Sequence, residues 1–326
     1  MDASQAGAAP IRRAVIILNP VAGRGQGARR RAELERLLIE IAANSSVEWS
    51  LIPTQAPGHA SALAAEAAAQ GAEVIAAAGG DGTLGEVVNG LAGTGARLGV
   101  LPMGTGNDFA RSLGLGTDLR EAVHALFFGS ARSVDLGRTQ GRWFINVAGC
   151  GFDAAVAERV NRGFRSLRGT PAYIAAVLQS LLTFRPAAMR LTADGQTHEL
   201  RAMMCTVANA PTYGGGMRIA PEAQIDDGLF DICLLADAGR IELLLAFPRV
   251  FRGTHVTHPK VTMLRARHIH IECDPPLPAL VDGEVVGTTP AEFTLTPRAI
   301  EVIAPGAPGR YNEGQSIPAA RSRAAR

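Results

Sequence analysis

The sequence predicts an α/β domain built on a parallel sheet with helices on both faces, followed by a mostly antiparallel β domain. Three observations predict it. From Ala14 to about residue 110, short apolar strand-like runs alternate with helical ones, the pattern of a parallel sheet covered on both sides. Glycine-rich turns recur at the carboxyl ends of those runs. Beyond about residue 130 the alternation stops and strand-like segments dominate, as in antiparallel architecture.

In order along the chain, Ala14–Leu18 reads as a strand, NPVAGRGQG as a turn, and 28–42 as a helix rich in Arg, Glu and Leu. A strand at 47–52, a helix at 58–70 and a strand at Glu73–Ala78 follow. Gly79–Thr83 read as a loop opening a helix at 84–92; a strand at 97–101 ends at Pro102, and a second glycine loop leads into a helix at Asn107. The second half is read as strands at 132–139, 142–149, 188–193, 198–208, 229–236, 261–264, 267–273 and 292–303, with helices near 151–161, 171–184 and 239–247. The boundary is placed near residue 138, giving domains over 12–138 and 139–299. No Ser/Pro linker separates them, so they are expected to close around a cleft. The segments 1–11 and 311–326 lack periodicity and are expected to be disordered.

Composition narrows the chemistry. With 326 residues, 47% hydrophobic and 19% charged, the chain is globular and long enough for two cores. A net charge of +2 argues against nucleic acid as a partner. Lys260 is the single lysine, and no phosphate-loop motif surrounds it, so any phosphate must be met by backbone N–H groups, arginine or a metal. Cys150, Cys205, Cys233 and Cys273 are far apart in sequence; they read as small buried residues in a reducing cytosol, not as a zinc site or a disulfide framework. No apolar run reaches the ~18–20 residues that span a bilayer. The longest, Tyr173 to Phe184, contains Gln179 and ends at Arg185-Pro186. The expectation is a cytoplasmic protein, soluble or peripheral at the inner membrane face.

Four motifs carry chemistry. Gly79-Gly80-Asp81-Gly82-Thr83 lies between a buried strand and a helix; its glycines let backbone approach phosphate, and the following helix presents N–H groups. Asp81 is out of place near phosphate unless it works with Mg²⁺ or takes a proton. Pro102-Met103-Gly104-Thr105-Gly106-Asn107-Asp108 repeats the strand–loop–helix pattern, and two such loops on successive parallel strands describe a nucleotide crevice. Asn19-Pro20-Val21-Ala22-Gly23 falls on the same sheet edge. Val281-Asp282-Gly283-Glu284 offers a carboxylate pair in the second domain, although Asp-Gly is also a common hairpin turn.

These segments follow in order with VDLG at 134–137, NVAGCGFDAAV at 146–156 and DDGLFDI at 226–232. Together they resemble the diacylglycerol kinase catalytic domain family in its bacterial lipid-kinase branch, over roughly residues 12–304. GGDGT alone is shared with NAD kinases and phosphofructokinases; the GTGNDFAR continuation and the late DGE are more specific. The resemblance implies an α/β ATP-binding domain and a β-sandwich, with the chain returning to the first domain over 300–310. It implies ATP, Mg²⁺ and a lipid hydroxyl acceptor, diacylglycerol before phosphatidylglycerol or a sphingoid base. An NAD kinase-like enzyme and a catalytically silent nucleotide- or lipid-binding module are the alternatives.

The implied nucleotide contacts are Asn19, Pro20, Val21, Ala22 and Gly23; Gly79, Gly80, Asp81, Gly82, Thr83, Leu84, Gly85 and Glu86; and Thr54, Thr105 and Asn107. Asp81, Asp108 and Asp135 would organise Mg²⁺. Glu284 would accept the acceptor's proton beside Asp282, with Asp81 as the competing base. A structural metal would lie at Asp227 with oxygens of Gln224 and Leu229. Two departures stand out: Gly85 replaces the family's usual Asn, and Gln224 replaces a small hydroxyl residue. With no phosphate-loop lysine, Arg24 or Arg111 would share the phosphate charge.

Arg159, Arg162, Arg165 and Arg168 recur every three residues before the apolar stretch at 173–184. Arg162, Arg165 and Arg168 are therefore expected to face an anionic bilayer. A homodimer is compatible with the sequence. His268 and His270 alternate with Ile269 and Ile271, as on a half-exposed strand. Gly214-Gly215-Gly216 marks a mobile loop near the cleft.

Overall fold

The computed structural model describes residues 11–23, 27–162 and 170–305. The expectations for 1–10, for Arg24, and for the chain beyond 305 fall outside them. The first part runs β1 (Arg13–Leu18), α1 (Gly27–Ala42), β2 (Glu48–Pro53), α2 (His59–Ala69), β3 (Val74–Gly79), α3 (Asp81–Leu91), β4 (Arg97–Pro102), α4 (Asp108–Ser112) and α5 (Leu119–Phe128). Then come β5 (Ser130–Thr139), β6 (Arg142–Phe144), β7 (Val147–Gly151), α6 (Phe152–Arg162), α7 (Thr170–Thr183), β8 (Ala187–Ala193), β9 (Gln196–Ala208) and β10 (Phe230–Ala236). The chain closes with α8 (Arg240–Arg252), a 3₁₀ turn at Thr254–Thr257, β11 (Val261–Ala266), β12 (His268–Asp274), β13 (Pro278–Val281), β14 (Glu284–Thr288) and β15 (Ala291–Ala304).

β2, β1, β3 and β4 pair in parallel in that order. All of Ala14 to Leu18 and Val74 to Gly79 is buried, which explains their near-continuous apolar sequence: helices cover both faces. The remaining pairings are antiparallel apart from one contact, where Val302 of β15 joins Leu98 of β4 in parallel. β12 shows the other kind of strand. Ile269 and Ile271 are buried while His268 and His270 are exposed, the alternation of a one-sided sheet. The second core packs Phe144, Phe230 and Phe293 with Ile232, Ile269 and Ile271, Phe144 and Phe230 stacking at 5.4 Å.

Two differences from the sequence reading have local causes, and one of the alternatives it left open, the Asp-Gly hairpin, is realised. The helix at α3 begins at Asp81, so Asp81, Gly82 and Thr83 form its first turn and Gly80 alone is the N-cap. α5 has no counterpart in the sequence reading; Asp118 caps it by accepting from Arg120 N–H, and its apolar face packs in the first core. Val281–Glu284 is a hairpin turn, with Val281 paired to Glu284 and positive φ at Asp282 (44°) and Gly283 (92°). Two successive left-handed residues suit Asp-Gly and little else.

β15 belongs to both halves. Its first part pairs with β12, its last part reaches β4, and from Thr294 on it pairs with β5 on both sides of a bulge. The β5 register breaks between Thr296 and Ile300, where Arg298 has a φ of 50°. Asp135 faces this bulge. It is fully buried, and its carboxylate accepts Arg298 N–H and Gly228 N–H, both at 2.7 Å. Its own N–H donates to the Ile225 carbonyl and its carbonyl accepts from Asn209. Asp135, expected to organise Mg²⁺, thus has one oxygen on the crossing strand and the other on the turn before β10.

Asp135→Ala should leave two buried N–H groups unpaired and cost at least about 2 kcal/mol, lowering the thermal midpoint by several degrees. Calorimetry checks this. A metal-ligand role would instead lower turnover with the midpoint unmoved.

Candidate active site

Three loops meet at the carboxyl ends of β1, β3 and β4. Asn19 leaves β1 with its N–H on the Ala78 carbonyl. Its amide donates to Thr83 Oγ1 at 2.9 Å, and its Oδ1 accepts Val21 N–H. Gly23, at φ 74°, lies so close to Met103 that a Cβ would stand 2.8 Å from its carbonyl oxygen. Gly80 and Gly104 approach backbone to backbone, leaving no room for a side chain on Gly104. The Gly79 carbonyl receives the N–H groups of Met103 and Gly104. Asn107 holds a left-handed conformation (φ 53°) and clamps Gly104 through both its N–H and its carbonyl. Thr105 is exposed at the tip, and Thr54, bonded through its N–H to the Leu18 carbonyl, is half-buried on the same edge.

Two carboxylates sit in this crevice. Asp81 Oδ1 accepts Asp108 N–H at 2.8 Å. A Cβ on Gly106 would lie 2.6 Å from Asp81 Oδ2 and 3.4 Å from Asp108 Oδ2, so only glycine permits the approach. Burial first, and then the Asp108 charge, raise the pKa of Asp81, against the pull of backbone N–H groups. Asp108 is buried; Arg111 binds its Oδ1 at 3.0 Å and Gly215 N–H its Oδ2 at 2.7 Å. Gly214–Gly216, expected as a mobile loop, is thus seated on Asp108, while Thr212 Oγ1 donates to the Asp108 carbonyl.

The second domain presents its hairpin to the same crevice. The Asp282 carboxylate accepts the N–H groups of Ile145, Asn146 and Val147, each at 3.0 Å. Burial pushes its pKa up to about 6, with those three donors pulling down and Asp81 adding repulsion. Asp282 Oδ2 lies 3.8 Å from where a Gly85 Cβ would stand, so the glycine that replaces the family's Asn is where the hairpin meets α3. Glu284 is exposed and takes a 2.9 Å ion pair from Arg142.

Several expected contacts lie elsewhere. Both Glu86 oxygens cap α2, accepting the N–H groups of Gly58 and Ala60, so Glu86 is not free for a nucleotide. Leu84 is a core residue, and buried Thr83 serves to hold Asn19. In the 224–229 loop, Asp227 accepts Leu229 N–H and is ion-paired to Arg265, while Gln224 is exposed. Arg265 thus pairs with the carboxylate that the expected structural cation would use, as Arg111 pairs with Asp108. No cluster of three or more metal-ligating side chains occurs among the described residues. Asp81 and Asp108, two crowded carboxylates beside open backbone, do fit a hard cation.

Sequence reasoning missed the partners that act from a distance. Gly104 and Gly106 were legible from the loop that contains them. Arg142, 142 residues from Glu284, and Gly215, 107 from Asp108, carried no such signal.

Beside the crevice an apolar cavity lies between the β9–β10 face and helices α6, α7 and α8. Phe152, Val177, Leu181, Met217, Leu243 and Phe247 line it. Tyr213 and Met217, the paired ends of the loop on Asp108, reach its wall. Buried Asp153 also borders it, accepting Ala154 N–H and the Thr206 hydroxyl, and burial raises its pKa to about 6.

The diacylglycerol kinase catalytic domain matches residues 13–139, and the YegS C-terminal NAD kinase beta sandwich-like domain matches 146–304. A Bacillus subtilis diacylglycerol kinase is 33% identical over 298 residues, covering 90% of this chain and 97% of the relative. The chain belongs to the diacylglycerol kinase family. A Mycobacterium tuberculosis diacylglycerol kinase is 39% identical over 251 residues, 74% of this chain and 80% of the relative. A crystallised Bacillus anthracis diacylglycerol kinase shares the fold, with a TM-score of 0.69 at 24% identity over 90% of this chain and 97% of that one. The diacylglycerol kinase fold therefore accounts for both halves of the sheet and the cleft between them.

Asp153 yields a pH prediction. Its folded pKa of about 6 exceeds the unfolded value of about 3.9, so the folded state binds its proton more tightly. The stabilisation is complete below about pH 4, is lost as pH rises to about 6, and stays lost above. Asp153→Asn should therefore stabilise the protein above pH 6 by up to about 3 kcal/mol, with no gain near pH 4. Thermal unfolding across pH 4–8 reads the difference.

Proposed function

We propose that this protein is a lipid kinase that moves the γ-phosphoryl group of ATP to a lipid hydroxyl, with diacylglycerol as the first acceptor and phosphatidic acid as product. The observation that carries this reading is the juxtaposition of a glycine-built phosphate crevice bearing Asp81 and Asp108 with an apolar cavity joined to it by the 212–217 loop. A nucleotide alone has no use for such a cavity; an acyl chain does. An NAD kinase would require a polar acceptor site in its place.

The backbone N–H groups of the Gly80 turn, of Thr105 and Gly106, and of the start of α3 would receive the triphosphate. Mg²⁺ held by Asp81 with Asp108 would supply neutralisation of phosphate charge, a part that no phosphate-loop lysine is present to play. The lipid oxygen attacks the γ-phosphorus, the bond to the β,γ-bridging oxygen breaks, ADP leaves, and the hydroxyl proton goes to a carboxylate. We assign that proton to Glu284. Asp282 is tied by three N–H groups and so fixes the turn, whereas Glu284 is exposed with Arg142 on one oxygen. Asp81, with its raised pKa, is the competitor.

The membrane expectation rests partly outside the described residues. Arg162 closes α6; its side chain, Arg165 and Arg168 are not described. Arg159, at the start of the stripe, donates to Thr183 on α7. We retain an anionic bilayer as the proposed partner of this stripe. No helix among the described residues is long and apolar enough to cross a membrane.

Labelled ATP supplied with a lipid panel in mixed micelles, and with NAD⁺ separately, should give labelled phosphatidic acid from diacylglycerol; label only in NADP⁺, or none on any acceptor, overturns the reading. Glu284→Gln should lower kcat by about 10²–10⁴-fold, the range for general acid–base catalysis, with the KM for ATP nearly unchanged. Retained turnover in Glu284→Gln together with its loss in Asp81→Asn would move the proton to Asp81.

A further inference from the structure

α8 is apolar on two opposite faces. At 3.6 residues per turn, Leu243, Ala246, Phe247 and Val250 fall on one side and line the cavity. Ile241, Leu244, Leu245, Pro248 and Phe251 fall on the other. That side is bare: Ile241 is 75% exposed, Leu245 72%, and Leu244 and Phe251 47% each. A helix apolar all round is normally buried on all sides, and a contiguous exposed apolar stripe marks an interaction surface.

The surroundings say what covers it. Arg240 opens the helix, Arg249 and Arg252 close it, and Arg218 stands beside its C-terminal end, where its N–H meets the Val250 carbonyl. Arg249 donates to the Thr254 carbonyl and to Thr257 and stays half-buried. The helix's one carboxylate, Glu242, is turned away from the bare face, held by Gly239 N–H and His258. The surface is thus an apolar stripe with basic ends and no acid of its own.

We propose that α8 is the bilayer-docking helix: its outer face lies among acyl chains of an anionic membrane, its arginines meet phosphate headgroups, and its inner face roofs the cavity that takes the acceptor's chain. The form matches a helix lying in the membrane interface, and basic residues add attraction to anionic lipid that salt weakens. A second copy of this chain would need no basic rim on its own matching face, because a twofold contact would set arginine against arginine. The identity of the acceptor chain rests on the lipid-kinase reading; the docking itself does not.

The test uses the full chain with sedimenting vesicles of phosphatidylcholine containing phosphatidylglycerol, and of phosphatidylcholine alone. Wild type should bind the anionic vesicles more tightly, and salt should weaken the binding. Ile241→Gln/Leu245→Gln removes two outward side chains that touch neither cavity nor crevice, and should bind at least about tenfold more weakly. Its thermal midpoint and its turnover on a short-chain diacylglycerol below its micelle concentration should be unchanged. Arg240→Gln/Arg252→Gln should lose the preference for anionic vesicles. Equal binding by wild type and the apolar variant, or no binding by wild type, overturns the proposal. So does a wild-type dimer that becomes a monomer in the variant while vesicle binding stays the same. Loss of docking in the variant supports it even where wild type phosphorylates no lipid, an outcome that would sink the lipid-kinase reading alone.

Discussion

The arrangement of the two halves depends on one buried carboxylate. Asp135 faces the bulge in β15 and ties Arg298 and Gly228 to β5. β15 pairs with β12 on one side of that bulge and reaches β4 on the other, so a single strand carries the antiparallel sheet into the parallel one. A bulge lets a strand bend and change partners, but it leaves N–H groups facing inward. One carboxylate oxygen satisfies the Arg298 N–H of the bulge and the other the Gly228 N–H of the turn before β10, and hydrogen bonds to a charged acceptor are stronger than neutral ones. The cleft follows, because the two sheets share a strand and their loops are held face to face.

Within the cleft, close approach replaces positive charge. Gly23 packs on the Met103 carbonyl, Gly80 on Gly104, and Gly106 against Asp81 and Asp108. Each contact excludes a Cβ and leaves backbone N–H groups as the groups nearest the crevice. With no lysine in the motifs, Arg111 is the cation on Asp108, and burial, followed by the Asp108 charge, raises the pKa of Asp81. That arrangement makes sense for a site completed by a cation.

The second domain reaches the crevice through two fixed features. The Asp282 turn is anchored by three N–H groups of the β6–β7 connection. The 212–217 loop has its ends in the apolar cavity and its tip on Asp108. A side chain displaced at the cavity wall therefore bears on a carboxylate in the other domain through a short run of backbone.

The order of elements, the parallel sheet and the glycine loops were legible in the sequence, because buried parallel strands must be continuously apolar and phosphate-type turns need glycine at fixed places. The motif order also determined the family. Tertiary structure alone decided the roles of individual carboxylates. Asp135, Glu86 and Asp227 carry the same chemistry in sequence as Asp81, yet their oxygens are spent on Arg298 and Gly228, on the α2 N-terminus, and on Arg265. Which donors surround a carboxylate depends on residues tens to hundreds of positions away, and sequence spacing does not encode that. The cavity and the bare face of α8 were hidden for the same reason: a run of leucines and phenylalanines states that a helix is apolar, and only packing states which of its sides is covered.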